Sequence, residues 1–277
     1  MAYNENMNIT KDTKLIVSFS AKQNSLGAAM HNAGYAAIGE NAVYVPITTN
    51  DIQNAIAGVR GFNLRGNTVS MPHKQVVMQY LDKIDPVAEA IGAVNTVAND
   101  SGVLTGYNSD WIGAMNALKE VTELAGKQVI VIGAGGAARA IVYGLLQNKA
   151  NPIIFNRDIG KAKNLAVDLK AEIGGDLGAL KAVSGYDIVI NATPVGSAKS
   201  ETDGCLVDGD FFKQDTVAMD VITVPAETMF LKYAKNKGAQ TVPGYRMLIH
   251  QALFQMELFT GKKAPFEVME KALLGTL

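Results

Sequence analysis

The sequence predicts an α/β protein of two domains: an N-terminal α/β domain followed by a doubly wound parallel sheet. Three observations carry this expectation. A chain of 277 residues exceeds what one core of ordinary size encloses. Short apolar runs alternate with amphipathic stretches from the start. The strongly apolar run KQVIVIG, at 127–133, breaks directly into a glycine cluster that opens a helix.

Taken in order, strands are expected at 15–19 (LIVSF) and 42–47 (AVYVPI), separated by a helix within SLGAAMHNAGYAAIG. The next helix runs through DIQNAIAGVR, with Thr49 or Asn50 as its cap. A strand at 68–71 stops at Pro72, which cannot donate to a ladder. After a helical segment at 76–84, GAVNTVAND and GVLTGYN read as a hairpin turning at 99–102. SDWIGAMNALKEV is helical and leads into the second domain. Its parallel strands are placed at 129–132, 153–156, 187–192 and 217–222, with helices between them, and two helices at 247–260 and 265–274 follow.

Composition narrows the function. Hydrophobic residues at 48% and charged residues at 18% describe a packed globular protein. Lys plus Arg at 25 against Asp plus Glu at 26 leaves a net charge of −1, which argues against a nucleic-acid partner; an acidic small ligand needs a local cationic site instead. Cys205 is alone, so no internal disulfide forms, and a reducing compartment fits. With neither an export signal nor an apolar run of membrane-spanning length, the expectation is a cytoplasmic protein without a membrane partner, monomeric or homodimeric. His31, His73 and His250 are scattered without metal-ligand spacing, so no metal is expected.

The clearest motif is VIVIGAGGAARA. Gly133 permits a tight turn, Gly135 lets backbone approach a pyrophosphate, and Ala138 takes the third small position against the sheet. The backbone of Gly133, Ala134, Gly135, Gly136 and Ala137 then offers amides to an anion at a helix start. The end of the next strand, IIFNRDIGKA, should choose the nucleotide. Arg157 stands about 20 residues past the glycines, where the discriminating residue belongs, with Asn156 before it and Lys161 one helical turn on. Arg157 and Lys161 suit a 2′-phosphate, hence NADP. Asp158 opposes it and keeps NAD open, unless that carboxylate turns away, pairs with Lys161 or caps the helix.

Three segments of the first domain concentrate polar groups: SFS at 18–20, VSMPHK at 69–74, and GAVNTV with GYNSDWIG between Gly92 and Gly113. Oxidising a secondary alcohol moves a hydride to a nicotinamide while another group takes the hydroxyl proton, and a lysine beside a carboxylate can do this. Lys74 and Asp110 are the candidates. On periodicity alone, Lys74 reads more readily as a solvated lysine at a helix start and Asp110 as an N-cap.

These segments, in this order, resemble the shikimate dehydrogenase family, including its diverged shikimate dehydrogenase-like branch. The family fragments N-V-T-x-P-x-K, G-A-V-N-T, G-x-N-T-D-x-x-G, G-A-G-G-A, N-A-T-P-x-G and G-x-x-M-L-x-x-Q read here TVSMPHK, GAVNT, GYNSDWIG, GAGGA, NATPVG and GYRMLIHQ. The resemblance implies a substrate domain at 1–107, completed by C-terminal helices at 244–277, and a Rossmann-type dinucleotide-binding domain at 108–243. It implies that Lys74 is the acid/base lysine and that Asp110 pairs with it and with the substrate hydroxyl. Asn95 and Gln251 would bind ring hydroxyls, Ser18 and Ser20 the carboxylate, and Ser70 takes the place of the threonine of N-V-T. Thr193, Pro194 and Val195 would form a loop near the nicotinamide, with Gly244 and Met247 closing over that end. The implied reaction interconverts 3-dehydroshikimate and shikimate, or a close polyhydroxy carboxylate.

The chain also departs from the pattern. From Ser20 to His31 it is longer than the family's S-x-S-P-x-x-H-N spacing and lacks the proline, so Ser25 could replace one of the serines. Thr223 stands where a tyrosine is usual, Thr68 replaces the asparagine, and Ser109 the threonine before Asp110. Two alternatives therefore accompany the main reading: an NAD-dependent quinate/shikimate dehydrogenase, favoured by Asp158, and a nucleotide-binding ligand sensor with weak catalysis.

Overall fold

The computed structural model describes residues 9–22, 25–198 and 204–277. The chain divides into two compact units, and the first holds residues up to Glu89, Ala93–Ser109 and Ala252–Leu277. Its chain order begins β1 (Lys14–Ser20), α1 (Leu26–Ala37), β2 (Ala42–Thr48), α2 (Ile52–Gly61) and β3 (Gly66–Val69). It continues β4 (Lys83–Ile84), α3 (Pro86–Ile91), β5 (Thr96–Asp100) and β6 (Val103–Tyr107). The strands form one mixed sheet in the order β2-β1-β3-β5-β6-β4. Both neighbours of β1 run parallel to it, while β5 is antiparallel to β3 and β6. Alternation along β1 sends Val17 and Phe19 into a core with Ile52, Ile56 and Val59 of α2.

Three local expectations are corrected. Neither Thr49 nor Asn50 caps α2; Asp51 does, its Oδ1 accepting from the Asn54 amide, while the Thr49 hydroxyl oxygen accepts from the Asp51 amide and shapes the turn before it. The strand expected at 68–71 lies at Gly66–Val69, because the ladders to β1 and β5 both end there. The helix expected at 76–84 is only a 3-10 turn, Val76–Tyr80, followed by β4. Asp82 ends it: its amide donates to Leu104 O at 3.0 Å and its carboxylate accepts from the Leu104 amide at 2.7 Å. The hairpin forms as expected, with Ser101 (φ 56°) and Gly102 (φ 91°) at its tip.

The second unit holds Ala90–Gly92 and Asp110–Gln251. It comprises α4 (Asp110–Lys119), β7 (Gln128–Ile132), α5 (Gly136–Gln147), β8 (Asn151–Phe155), α6 (Ile159–Leu169) and β9 (Glu172–Gly175). Then follow β10 (Ile188–Asn191), β11 (Val217–Asp220), α7 (Met229–Asn236), β12 (Gln240–Val242) and α8 (Gly244–Thr260). All six strands are parallel, in the order β12-β11-β10-β7-β8-β9. Chain direction across the sheet reverses between β7 and β10, the topological switch point at which open α/β sheets bind ligands. Strand β7 is apolar throughout because both faces are covered: Val129 and Val131 join one core cluster, Ile130 and Ile132 the other.

Helix α8 crosses from one unit to the other at Ala252, so residues 244–251 cluster with the nucleotide-type sheet. Within the first unit, Arg65 holds the end of α8, with Nε donating to Phe259 O at 2.8 Å and Nη2 to Leu258 O at 3.1 Å. The last helix, α9 (Phe266–Leu274), packs on α1, where Gly34 admits Met256 and Met269. Among the described residues, no helix is long and apolar enough to cross a membrane.

Candidate functional site

The glycine turn lies where β7 ends, at the switch point. Gly133 has φ +128°, and a Cβ there would sit 2.9 Å from Ala192 O, so only glycine fits. Gly135, the N-cap of α5, has φ −86° and ψ −173°, a conformation open to any residue, yet a Cβ would meet nothing within 4 Å. Its missing side chain therefore serves no packing; it leaves room before the first amides of α5. Gly136 and Ala137 begin the helix, Ala134 is half-buried, and Ala138 is buried against the sheet. A turn held open at a helix N-terminus fits a pyrophosphate.

At the end of β8 the two readings of Asp158 separate. Its Oδ1 accepts from the amides of Gly160 and Lys161 at 3.0 and 3.2 Å, so the carboxylate faces back onto α6 as its N-cap. Asn156 Nδ2 donates to Asp158 O at 2.8 Å, and Lys161 Nζ lies 4.0 Å from Asp158 Oδ2. Arg157 is exposed. The acidic side chain is thus occupied locally, and the guanidinium is left to meet a 2′-phosphate, so these residues fit NADP.

The loop after β10 is held by a buried polar group. Asn191 Oδ1 accepts from the Thr193 amide at 3.0 Å and the Thr193 hydroxyl at 2.7 Å, and its Nδ2 donates to Val195 O and to Asp220 Oδ1, each at 3.2 Å. Asp220, at the end of β11, also accepts from the Thr228 hydroxyl at 2.6 Å and the Ile222 amide at 3.0 Å. Burial pushes its carboxyl up to about 6, against the pull of those bonds. Thr193, Pro194 and Val195 thereby have a fixed course. Gly244 packs on the same region, since a Cβ there would meet Ile222 O at 2.3 Å, and Met247 is part of the core.

In the first unit, the carboxyl ends of β1 and β3 bring the other candidates together. The Ser70 amide donates to Phe19 O, the Val69 amide to Asn95 O, and the Val94 amide to Lys74 O, each at 2.8 Å. Ser20 Oγ donates to Met71 O at 3.3 Å, and the Ser18 hydroxyl is bonded to the Tyr44 phenol, which also meets Thr68 Oγ1 at 2.5 Å. Ser18, Ser20, Ser70, Lys74 and Asn95 therefore share one end of the sheet; Ser70 is exposed, Lys74 half-buried and Asn95 buried. His73 ties this end down, its Nε2 lying 2.9 Å from Thr49 O.

In the second unit, Asp110 starts α4 and is 2% exposed, where a carboxylate complements the helix dipole. One turn later Gly113 allows α8 to pack closely: a Cβ there would lie 2.6 Å from both Gln251 Cγ and Met247 O. Asp110 and Gln251 are thus brought to the same helix pair. His250 Nε2 lies 2.7 Å from Glu120 Oε1, beside the Arg246 guanidinium that pairs with the same carboxylate. Trp111 packs edge-on against Tyr143 with centroids 5.8 Å apart, a core role.

Motif reading missed two groups. Asp220 was visible only as a polar residue ending an apolar strand, and Asn191 only as the opening residue of NATPVG, with no role of its own. Gln255, one helical turn beyond Gln251, is buried and bonded to His31, Thr96 and Ser109.

Family models match three stretches: the shikimate dehydrogenase substrate binding domain at 20–97, shikimate / quinate 5-dehydrogenase at 115–201, and the shikimate 5'-dehydrogenase C-terminal domain at 244–274. A shikimate dehydrogenase (NADP(+)) of Methanobrevibacter smithii is 41% identical over 92% of this chain and 94% of its own. A crystal structure of a shikimate dehydrogenase in complex with NADP+ superposes with a TM-score of 0.92 at 35% identity, covering 97% of each chain. The ligand-free 5-ketofructose reductase of Gluconobacter sp. strain CHM43 is also similar, with a TM-score of 0.85, 34% identity, and coverage of 97% of this chain and 100% of that one. With the glycine turn, the Lys74 and Asp110 motifs and the two-sheet architecture in agreement with these matches, the chain belongs to the shikimate dehydrogenase family.

Proposed function

We propose that this protein is an NADP-dependent oxidoreductase interconverting 3-dehydroshikimate and shikimate. The observation that carries the reading is the gathering of Ser70, Lys74 and Asn95 at the carboxyl ends of the first sheet's strands, in a chain that also holds an α5 N-terminus open to phosphate. Shikimate offers a carboxylate and ring hydroxyls, and such groups need polar partners if they are not to be buried unpaired. Ser18 and Ser20 are assigned to the carboxylate, Ser70 to the place of the motif's threonine beside them, and Asn95 and Gln251 supply amides for the ring. The Lys74 ammonium donates the proton that the substrate carbonyl oxygen takes up on reduction, and its amine recovers that proton from the hydroxyl on oxidation. Asp110, matching the family motif, would accept the hydrogen bond of the reacting hydroxyl.

Gly133 to Ala137 would hold the pyrophosphate and Arg157 with Lys161 the 2′-phosphate of NADP, with Thr193, Pro194, Val195, Gly244 and Met247 toward the nicotinamide. When bound, the cofactor supplies or takes the hydride. The lone Cys205 supports assignment to a reducing compartment, the cytoplasm. Lys74→Ala tests the mechanism: turnover should fall by about 100-fold or more, with NADP affinity kept, and unchanged turnover would remove Lys74 from the chemical step.

A further inference from the structure

Behind Asn95, on the far side of the first unit's substrate face, runs a chain of buried polar side chains to which the proposed chemistry gives no part. Asn95, Thr96, Ser109, Gln255 and His31 are each at most 7% exposed. Gln255 Nε2 donates to Thr96 Oγ1 at 3.1 Å and to Ser109 Oγ at 3.0 Å, and its Oε1 lies 3.2 Å from His31 Nε2. Both amide protons of Gln255 are therefore committed, and the histidine must carry its proton on Nε2 to meet Oε1.

The polarity propagates. Each hydroxyl receives a proton from Gln255, so each turns its own proton onward. The Thr96 hydroxyl donates to Asn95 Oδ1 at 2.8 Å, the Ser109 hydroxyl reaches the same oxygen at 3.2 Å, and the Ser109 amide donates to it at 2.8 Å. Asn95 Nδ2 gives one proton to Ser109 Oγ at 3.0 Å. The acceptor capacity of Asn95 is filled, and one amide proton remains. Were the Gln255 amide reversed, both hydroxyls would point at it instead; Asn95 Oδ1 would keep only the bond from the Ser109 amide, and its second lone pair would be open to a ligand.

We infer that Gln255 is a positioning residue that acts through Thr96 and Ser109 to fix the Asn95 carboxamide, so that Asn95 meets the substrate as a hydrogen-bond donor only. The inference rests on the proposed role of Asn95 and adds a rule of specificity to it. The substrate group at Asn95 must offer a lone pair, as a hydroxyl or carbonyl oxygen does. An ammonium in that position would set donor against donor and is rejected. His31, stacked on Tyr44 with centroids 4.4 Å apart and an interplanar angle of 9°, keeps the far end of the chain from rotating.

The test is a double-mutant cycle with shikimate and NADP on wild type, Gln255→Leu, Asn95→Ala and the double variant. Each single variant should lower kcat/KM for shikimate about tenfold, mainly through KM, with the KM for NADP unchanged. The double variant should be no worse than Asn95→Ala alone, which general destabilisation would not produce. Gln255→Glu keeps the shape but can only accept from the two hydroxyls; it should show the same loss and covers the case in which Gln255→Leu does not fold. Losses that multiply in the double variant, or a silent Gln255→Leu beside a damaging Asn95→Ala, would overturn the inference and leave the substrate reading intact. A silent Asn95→Ala would remove both. Independently of turnover, side-chain amide NMR should show Asn95 Nδ2 protected from exchange in wild type and less protected in Gln255→Leu; equal protection would also overturn it.

Discussion

Gly133 and Gly135 lie two residues apart and should respond to the same substitution in opposite ways. At Gly135 alanine finds a permitted backbone and no neighbour within 4 Å. Gly135→Ala should therefore leave stability unchanged or raise it by about 0.4–1 kcal/mol through the unfolded chain. Its methyl group projects into the space before α5, where the pyrophosphate would lie. Displacing a phosphate from one charge-assisted amide bond costs about 1.5–3 kcal/mol, so NADP should bind roughly 10- to 100-fold more weakly. Gly133→Ala places a Cβ 2.9 Å from Ala192 O at φ +128°, which should cost on the order of 1–3 kcal/mol in the fold itself. Denaturant unfolding measures the first quantity and NADP titration, followed by the fluorescence of Trp111, the second. A Gly135→Ala protein that binds NADP like wild type would refute the argument that this glycine reserves space for the cofactor.

Further expectations concern charge. Arg157→Ser should raise the KM for NADP about tenfold or more and leave the KM for NAD nearly unchanged, because only the former needs a partner for a 2′-phosphate; equal effects on both would assign Arg157 elsewhere. His31 is held neutral by burial, lowered from 6.5 to about 4 and only partly restored by Gln255. The unfolded chain therefore binds more protons between those values, and this contribution to stability is full above pH 6.5 and lost as pH falls toward 4, by roughly 3 kcal/mol in total. Asp220 has the opposite sign: raised from 3.8 to about 6, it binds more protons when folded, so its contribution is lost as pH rises through that window. Denaturation of Asp220→Asn against wild type should show a stability difference that grows in the variant's favour with rising pH; a constant difference would contradict the raised carboxyl. The same variant should raise the KM for NADP if Asn191 holds the Thr193 loop through Asp220.

Legibility differed by element for physical reasons. Strand β7 was plain in the sequence because a strand covered on both faces must be apolar at every position, and Gly133 was plain because a turn at positive φ admits little else. Edge strands β9 and β12 were missed: one reads EIGG and the other QTV, neither with an apolar run. The segment at 76–84 has helical periodicity, but the two bonds between Asp82 and Leu104 override it. At Asp158 the sequence offered two chemistries, and only the direction of the carboxylate toward Gly160 and Lys161 separated them. Gln255 could not be read in advance, because its partners His31, Thr96 and Ser109 are distant in the chain and its importance lies in which way its amide points.

The central claim is tested most directly by the rate of nicotinamide reduction with shikimate and with quinate, each supplied with NADP or NAD. The account predicts turnover that is fastest with shikimate and NADP. A preference for NAD would contradict the reading of Arg157 and Asp158. Silence in all four mixtures, with NADP still bound, would contradict the proposed catalysis and point instead to a ligand sensor.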